Sequence, residues 1–306
     1  MKQGKIVVLG SVNCDLVLRC APLPVAGQTV HGRDFRRLPG GKGANQAVAA
    51  ARMGAAVSFV GAVGDDDDGR AARANLVAQG VDVSYLRTVQ GVATGTAMIL
   101  VDDASGQNCI ALYDGANAQV DVALVEAAAG EIAGAALLIC QLETPPSATL
   151  HAARIARGAG VPVLLNPAPA MPLDPALIEL VDLLVPNESE AMLLAGQQAG
   201  ETFDEVATVD ALHALGAQSV LVTLGADGVL FSERGAPTRT RYNAHPAQAV
   251  DTSGAGDAFI GALGASLLAG IAPGEAIDRA QRAASISVTR QGAMASLPFG
   301  NELGLA

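Results

Sequence analysis

Lysine is almost missing from this chain of 306 residues: it occurs only at Lys2, Lys5 and Lys42, while arginine is common. Positive charge is scarce overall, and the formal net charge of −11 excludes the broad basic field that nucleic-acid or anionic-membrane binding requires. A small phosphorylated ligand is not excluded, because one pocket can be locally positive. Cysteine is sparse too. Cys14, Cys20, Cys109 and Cys140 show no C-x-x-C spacing, which removes a zinc site or a redox pair and fits free thiols in a reducing cytoplasm. No segment offers about 20 uninterrupted apolar residues, and the N-terminal run "KIVVLG" is too short for a signal peptide. A cytoplasmic protein without membrane or nucleic-acid partners is the expectation.

What is present is alternation. The runs "KIVVLGSV", "AVSFVGAVG", "ALLICQLE", "VPVLLNPA", "DLLVPNE" and "SVLVTLG" read as strands. Between them "ANQAVAAARMG", "GRAARANLVAQG", "SATLHAARIARGAG" and "TVDALHALGA" read as helices. Continuously apolar strands joined to helices predict a doubly wound, mostly parallel α/β sheet covered on both faces. Ligands in such folds lie beyond the carboxyl ends of the strands, where Asn13, Glu143, Asn166, Asn187 and Thr223 cluster. Two stretches break the alternation, about 15–38 and 92–113. They read as hairpins without helices, forming either a small sheet that acts as a lid or ordinary edge hairpins. No internal repeat or long linker appears, so residues 1–306 are expected to form a single domain.

The sharpest local signal is "DTSGAGDAFIGALGASLLAG". Phe259, Ile260, Leu263 and Leu267 recur at helical spacing, so a helix starts near Gly254–Asp257. Its first amides lack intrahelical acceptors and carry partial positive charge, and the glycines let a ligand approach them. Asp257 then has two readings. It is either a helix-start acid favoured by the dipole, or a general base beside an anion hole. Rival phosphate motifs fail: "GAGDAF" lacks the third glycine of G-x-G-x-x-G, and no G-x-x-x-x-G-K-[ST] exists.

"GGKGANQAVAA" at 40–50 and "DTSGAGDAF" at 251–259 together resemble the signature pair of the PfkB-type carbohydrate kinases. "GSVNCDLV", "LNPAPA", "PNESEA", "TLGADGV" and "VTRQGAMASLP" extend the likeness, in order, over nearly the whole chain, most closely to the ribose-phosphorylating members. The resemblance implies transfer of a phosphoryl group from ATP to the 5-hydroxyl of D-ribose. It implies that Asn13, Asp15, Gly41, Lys42, Gly43, Asn45, Glu143 and Asp257 hold the sugar. Asp257 would be the base, with Gly254, Ala255 and Gly256 as the anion hole. Asn187 and Glu190 would act through Mg2+ and phosphate. Thr223, Leu224, Gly225, Ala226, Asp227 and Gly228, with Gly256 and Gln281, would contact the nucleotide. Asp251, Ser253, Ser287, Arg290, Gly292 and Ser296 would surround a K+ ion, several through backbone carbonyls. Edge strands of the lid imply a homodimer formed through it.

Each of these residues also has a plainer reading: a strand-end turn for Asn13 and Asp15, a solvated charge for Lys42, helix capping for Asn45, a loop acid for Glu143. Asn187 and Glu190 read equally as a polar pair capping the next helix, and "GADG" as a hairpin turn. Gln281 stands where the family often has histidine or asparagine. Two alternatives accompany the ribose reading. One is a PfkB-type kinase for another substrate, such as deoxyribose, fructose or adenosine; the other is a non-catalytic sugar or nucleotide sensor.

Overall fold

In the computed structural model, which describes residues 4–197 and 201–304, thirteen strands form two sheets. The larger contains β1 (Ile6–Leu9), β4 (Val57–Gly64), β5 (Val81–Val89), β8 (Leu137–Cys140), β9 (Val163–Leu165), β10 (Leu183–Leu184), β11 (Ser219–Thr223), β12 (Val229–Glu233) and β13 (Thr240–Tyr242). Its order is β13-β12-β11-β10-β9-β8-β1-β4-β5, parallel from β5 to β11, with β12 and β13 antiparallel.

β1, β4 and β8 are buried along their whole length, as continuously apolar runs in a doubly covered sheet must be. Alternate side chains feed two cores. Val7 and Leu9 of β1 point into one, and Ile6 and Val8 into the other. The fold is the mostly parallel α/β sandwich that the alternation predicts, and each strand run singled out in the sequence contains a strand. β5 is an addition. Its sequence "VDVSYLRTV" mixes polar and apolar residues because it is the exposed edge of the sheet.

The smaller sheet has the order β3-β2-β6-β7, built from β2 (Asn13–Cys20), β3 (Gly32–Gly40), β6 (Gly95–Asp102) and β7 (Asn108–Tyr113). β2 leaves the large sheet directly after β1, and β3 returns through Gly40 and Gly41 into the Lys42–Arg52 helix. Gly41 has φ 92°, and a Cβ there would stand 2.7 Å from the Asn13 amide nitrogen. Only glycine turns the chain at that distance.

The Lys42–Arg52 helix packs on the Ala255–Leu268 helix through small residues. A Cβ on Gly261 would lie 2.3 Å from the Ala49 Cβ. This close approach brings the starts of both helices, with Lys42, Asn45 and Asp257, to one end of the sheet. Among the described residues, no helix is long and apolar enough to cross a membrane.

Candidate active site

A cavity of about 930 Å³ opens between the two sheets. Asn13, Asp15, Gly41, Lys42, Asn45, Glu143, Asp251, Ser253, Gly254, Asp257 and Gly292 all line it, together with Glu190. Residues scattered over 280 positions therefore meet in one place. Gly43 sits just behind this wall, where a Cβ would come within 2.7 Å of Gly10 and Ser11 backbone.

Asp257 lies in the first turn of the Ala255–Leu268 helix, whose N-cap Gly254 is left-handed at φ 77°. A Cβ on Gly254 would stand 2.9 Å from the Ala293 backbone, so the turn needs glycine for conformation and for space. The Asp257 Oδ2 accepts from Asn45 Nδ2 at 2.9 Å, and Oδ1 accepts from Gln46 Nε2 at 3.0 Å. Burial raises the Asp257 carboxyl above the usual carboxylate range. The Lys42 ammonium and the Gln46 and Asn45 amides pull it back, and Glu143 pushes it up again.

The amides beside it are largely uncommitted. Ala255 N–H donates to Thr252 O over a long 3.3 Å, whereas the Gly256 and Asp257 N–H groups have no acceptor among the described residues. A Cβ on Gly256 would meet nothing within 4 Å, so open space lies in front of it. A carboxylate and bare N–H donors thus share one helix start.

Four carboxyls face one ammonium. Burial pushes the Asp15 carboxyl up to about 7, helped by Glu143 and Asp257 and opposed by Lys42. Burial likewise raises Glu190, against the Asn187 N–H and Lys42. For Lys42 burial acts downward, but Asp257, Glu143, Glu190 and Asp15 outweigh it and hold the ammonium charged. Lys42 makes no direct ion pair among the described residues, so its donors face the cavity rather than a fixed partner. It is not the solvated surface charge of the plainer reading.

Glu143 is anchored by Ser11, which the sequence did not single out, and by the Lys42 backbone. Its Oε2 accepts from Ser11 Oγ at 2.5 Å and from the Lys42 backbone N at 3.1 Å. Asn13 accepts at Oδ1 from Asn117 Nδ2 at 2.7 Å, and Asn117 also clamps both backbone groups of Val12. Asn45 Oδ1 is buried without a partner among the described residues. That is an acceptor which a ligand hydroxyl would satisfy.

The expected nucleotide residues lie outside this cavity. Thr223 ends β11, Gly225–Asp227 form one tight turn, and Gly228 has φ 92°. A Cβ on Gly228 would meet Tyr242 O at 2.0 Å. The turn joins the antiparallel pair β11 and β12, so "GADG" is a hairpin turn, and Thr223 bridges to Asn187. Asn187 and Glu190 form a reciprocal capping box at the Glu188–Leu194 helix, leaving one Glu190 oxygen toward the cavity side. Gln281 is buried on the Pro273–Ser287 helix, with Oε1 unpartnered among the described residues.

The six residues expected around a cation behave unequally. Asp251 accepts from Ser253 N at 2.9 Å and from Gly292 N at 2.8 Å, tying the two loops together. Burial pushes its carboxyl up, but these donors prevail and hold it below its ordinary value. Ser287 and Ser296 are fully buried and donate to Ala284 O and Ala293 O. The Arg290 guanidinium is engaged by Glu302, so Arg290 can offer a cation only its backbone. Among the described residues no group of three His, Cys, Asp or Glu side chains is placed to hold a metal ion.

A concave polar cavity at the strand ends, with an acid at a helix N-terminus, has the form of a small-molecule site in an α/β fold. Comparison with known proteins makes the class specific. The profile of the "pfkB family carbohydrate kinase" matches residues 3–299. The ribokinase of Haemophilus influenzae is 40% identical over 298 residues, covering 97% of this chain and 96% of that protein. A ribokinase structure from Thermotoga maritima superposes with a TM-score of 0.90 at 34% identity, covering 98% of both chains. The Arabidopsis thaliana ribokinase complexed with ribose and ATP superposes at 0.87 with 32% identity, over 98% of this chain and 97% of that one. The chain belongs to the pfkB family, and with it to the ATP-dependent carbohydrate kinases.

Proposed function

We propose that the protein phosphorylates D-ribose at its 5-hydroxyl with ATP. The observation that carries this reading is the convergence of Asp257, Lys42, Asn45, Asp15 and Glu143 on one cavity beside the free amides of Gly256 and Asp257. Vicinal sugar hydroxyls both donate and accept, and they match a wall of carboxylates with one ammonium and an unpaired amide oxygen. The solved relative holding ribose and ATP, similar over nearly the full chain, supports the same ligands here.

In this reading Asp257 takes the hydroxyl proton as the sugar oxygen attacks the γ-phosphorus, and the bond to the departing ADP oxygen breaks in line. The amides of 254–257 face the negative charge that spreads over the transferring group. Lys42 holds the sugar and offsets the surrounding acids. The Thr223–Gly228 turn and Gln281 contact the nucleotide. Asn187 and Glu190 would hold a Mg2+ ion brought by the nucleotide, and that ion would offset phosphate charge. Asp251 and the 287–296 backbone would hold a K+ ion, whose charge would stiffen the loop behind the anion hole. The smaller sheet is a lid over the sugar, and its exposed strand β7 pairs two chains into a cytoplasmic homodimer.

The test is ADP release with ATP and Mg2+ over a panel of pentoses, hexoses and nucleosides, with and without K+. D-ribose is expected to give the highest kcat/KM, with ribose 5-phosphate as product and faster turnover in K+. A nucleoside or hexose as the preferred acceptor would overturn the ribose assignment.

A further inference from the structure

Behind Asp257 runs a chain of buried side-chain amides, Gln46, Asn166 and Gln141, that do not line the cavity. Gln46 is fully buried, one position beyond Asn45, and does not line the cavity. Its Nε2 donates to Asp257 Oδ1 at 3.0 Å and to Asn166 Oδ1 at 3.1 Å. Its Oε1 accepts from Gln141 Nε2 at 2.6 Å. Asn166 Nδ2 in turn donates to the Val185 backbone carbonyl at 3.0 Å.

The polarity of this chain has one solution. The Val185 carbonyl can only accept, so Asn166 must present its NH2 there and its oxygen to Gln46. Gln46 must then turn its own NH2 toward Asn166, and the same NH2 is what reaches Asp257. Gln141 closes the far side by occupying the Gln46 oxygen. A backbone carbonyl of the sheet thus dictates that a donor, never an acceptor, faces Oδ1 of the acid.

From this geometry we infer that Gln46 is a positioning residue for Asp257, held in the donating orientation by Asn166 and Gln141. This rests on Asp257 being the base. Asn45 secures Oδ2 from the cavity side, where a bound sugar can compete for it, whereas Gln46 secures Oδ1 from the dry side. Gln46 fixes the carboxyl plane and favours its ionised form, so the remaining lone pairs stay aimed at the substrate hydroxyl. The charged groups facing Asp257 are Lys42, Glu143, Asp15 and Glu190, and Gln46 is a neutral donor among them. It keeps the base ionised without adding a cation that would weaken it.

The test compares Gln46→Glu, which keeps length and volume but replaces the donor with an acceptor, with Gln46→Met, which removes both functions. Each is assayed for kcat, KM and pH profile beside the parent chain and Asp257→Asn. Both Gln46 variants are expected to lose at least about tenfold in kcat with sugar KM within about threefold. Their acidic limb should move up by about one pH unit, because the carboxylate has lost a donor. An acidic limb superimposable on that of the parent chain would overturn the proposal, as would a loss confined to KM. Loss of the folded state in both variants, read by circular dichroism, would assign Gln46 to the fold and overturn it too. Near-normal turnover in Asp257→Asn would remove the base itself. An inactive Asp257→Asn with unshifted Gln46 variants would remove only the role of Gln46.

Discussion

Asp15 shows how a binding site sets function against stability. Its carboxyl is half-buried, faces Glu143 and Asp257, and sits at about 7 instead of 3.8. Between those two values the native chain binds more protons at Asp15 than the unfolded chain does. Ionising it therefore opposes folding, and stability falls as pH rises through that window. Asp15→Asn removes this cost. The melting-temperature gain of the ligand-free variant over the parent is expected to be larger at pH 8 than at pH 5, while affinity for sugar falls. A gain that shrinks with rising pH, measured by calorimetry, would contradict the assignment. Residues of this kind were legible in the sequence because they sit inside short polar motifs. Ser11, Gln46, Asn117 and Gln141 were not. A serine after a strand, an amide within an alanine-rich helix or a glutamine at a strand end carries no local mark, and its role exists only through partners about 30 to 210 residues away.

Two elements hold the reacting groups: the Lys42–Arg52 helix and the Ala255–Leu268 helix. Their contact is made of alanine and glycine, so the separation of the two helix starts is set by the absence of side chains. Gly261→Ala would drive a methyl into Ala49 and the Ala50 amide, forcing the helices apart. The expected cost is ~1–3 kcal/mol of stability, with a drop in kcat because Asp257 recedes from Lys42 and Asn45. Thermal melts and kinetics on one preparation check both, and an unaffected kcat would show that the spacing is not limiting. Helical spacing after Asp257 located this element from sequence alone, and its observed start at Ala255 falls inside the expected stretch 254–257. β5 escaped because an edge strand with one wet face has neither the apolar run of the inner strands nor clean alternation. The capping box of Asn187 and Glu190 was legible as a pair, but only coordinates distinguish the bonds it makes.

At the scale of the molecule, the large sheet is closed by helices on both faces while the small one is not. Phe35, Met98, Ile110, Leu112 and Tyr113 of the small sheet are all more than half exposed, and β7 leaves an unpaired edge. Pairing through this sheet predicts a two-chain mass in light scattering and a one-chain mass for Ile110→Lys with Leu112→Lys. A parent chain that is monomeric at micromolar concentration would contradict that assembly. The parallel order of the large sheet, by contrast, follows from buried runs that any sequence reading detects, and it delivers every polar strand end to the same side as the acid. The account stands on that acid. Its most direct measurement is ribose-dependent ADP release by the parent chain and by Asp257→Asn, with sugar and nucleotide binding followed by calorimetry. The account predicts a loss of ~10²–10⁴-fold in turnover with both ligands still bound; turnover within a few fold of the parent would contradict it.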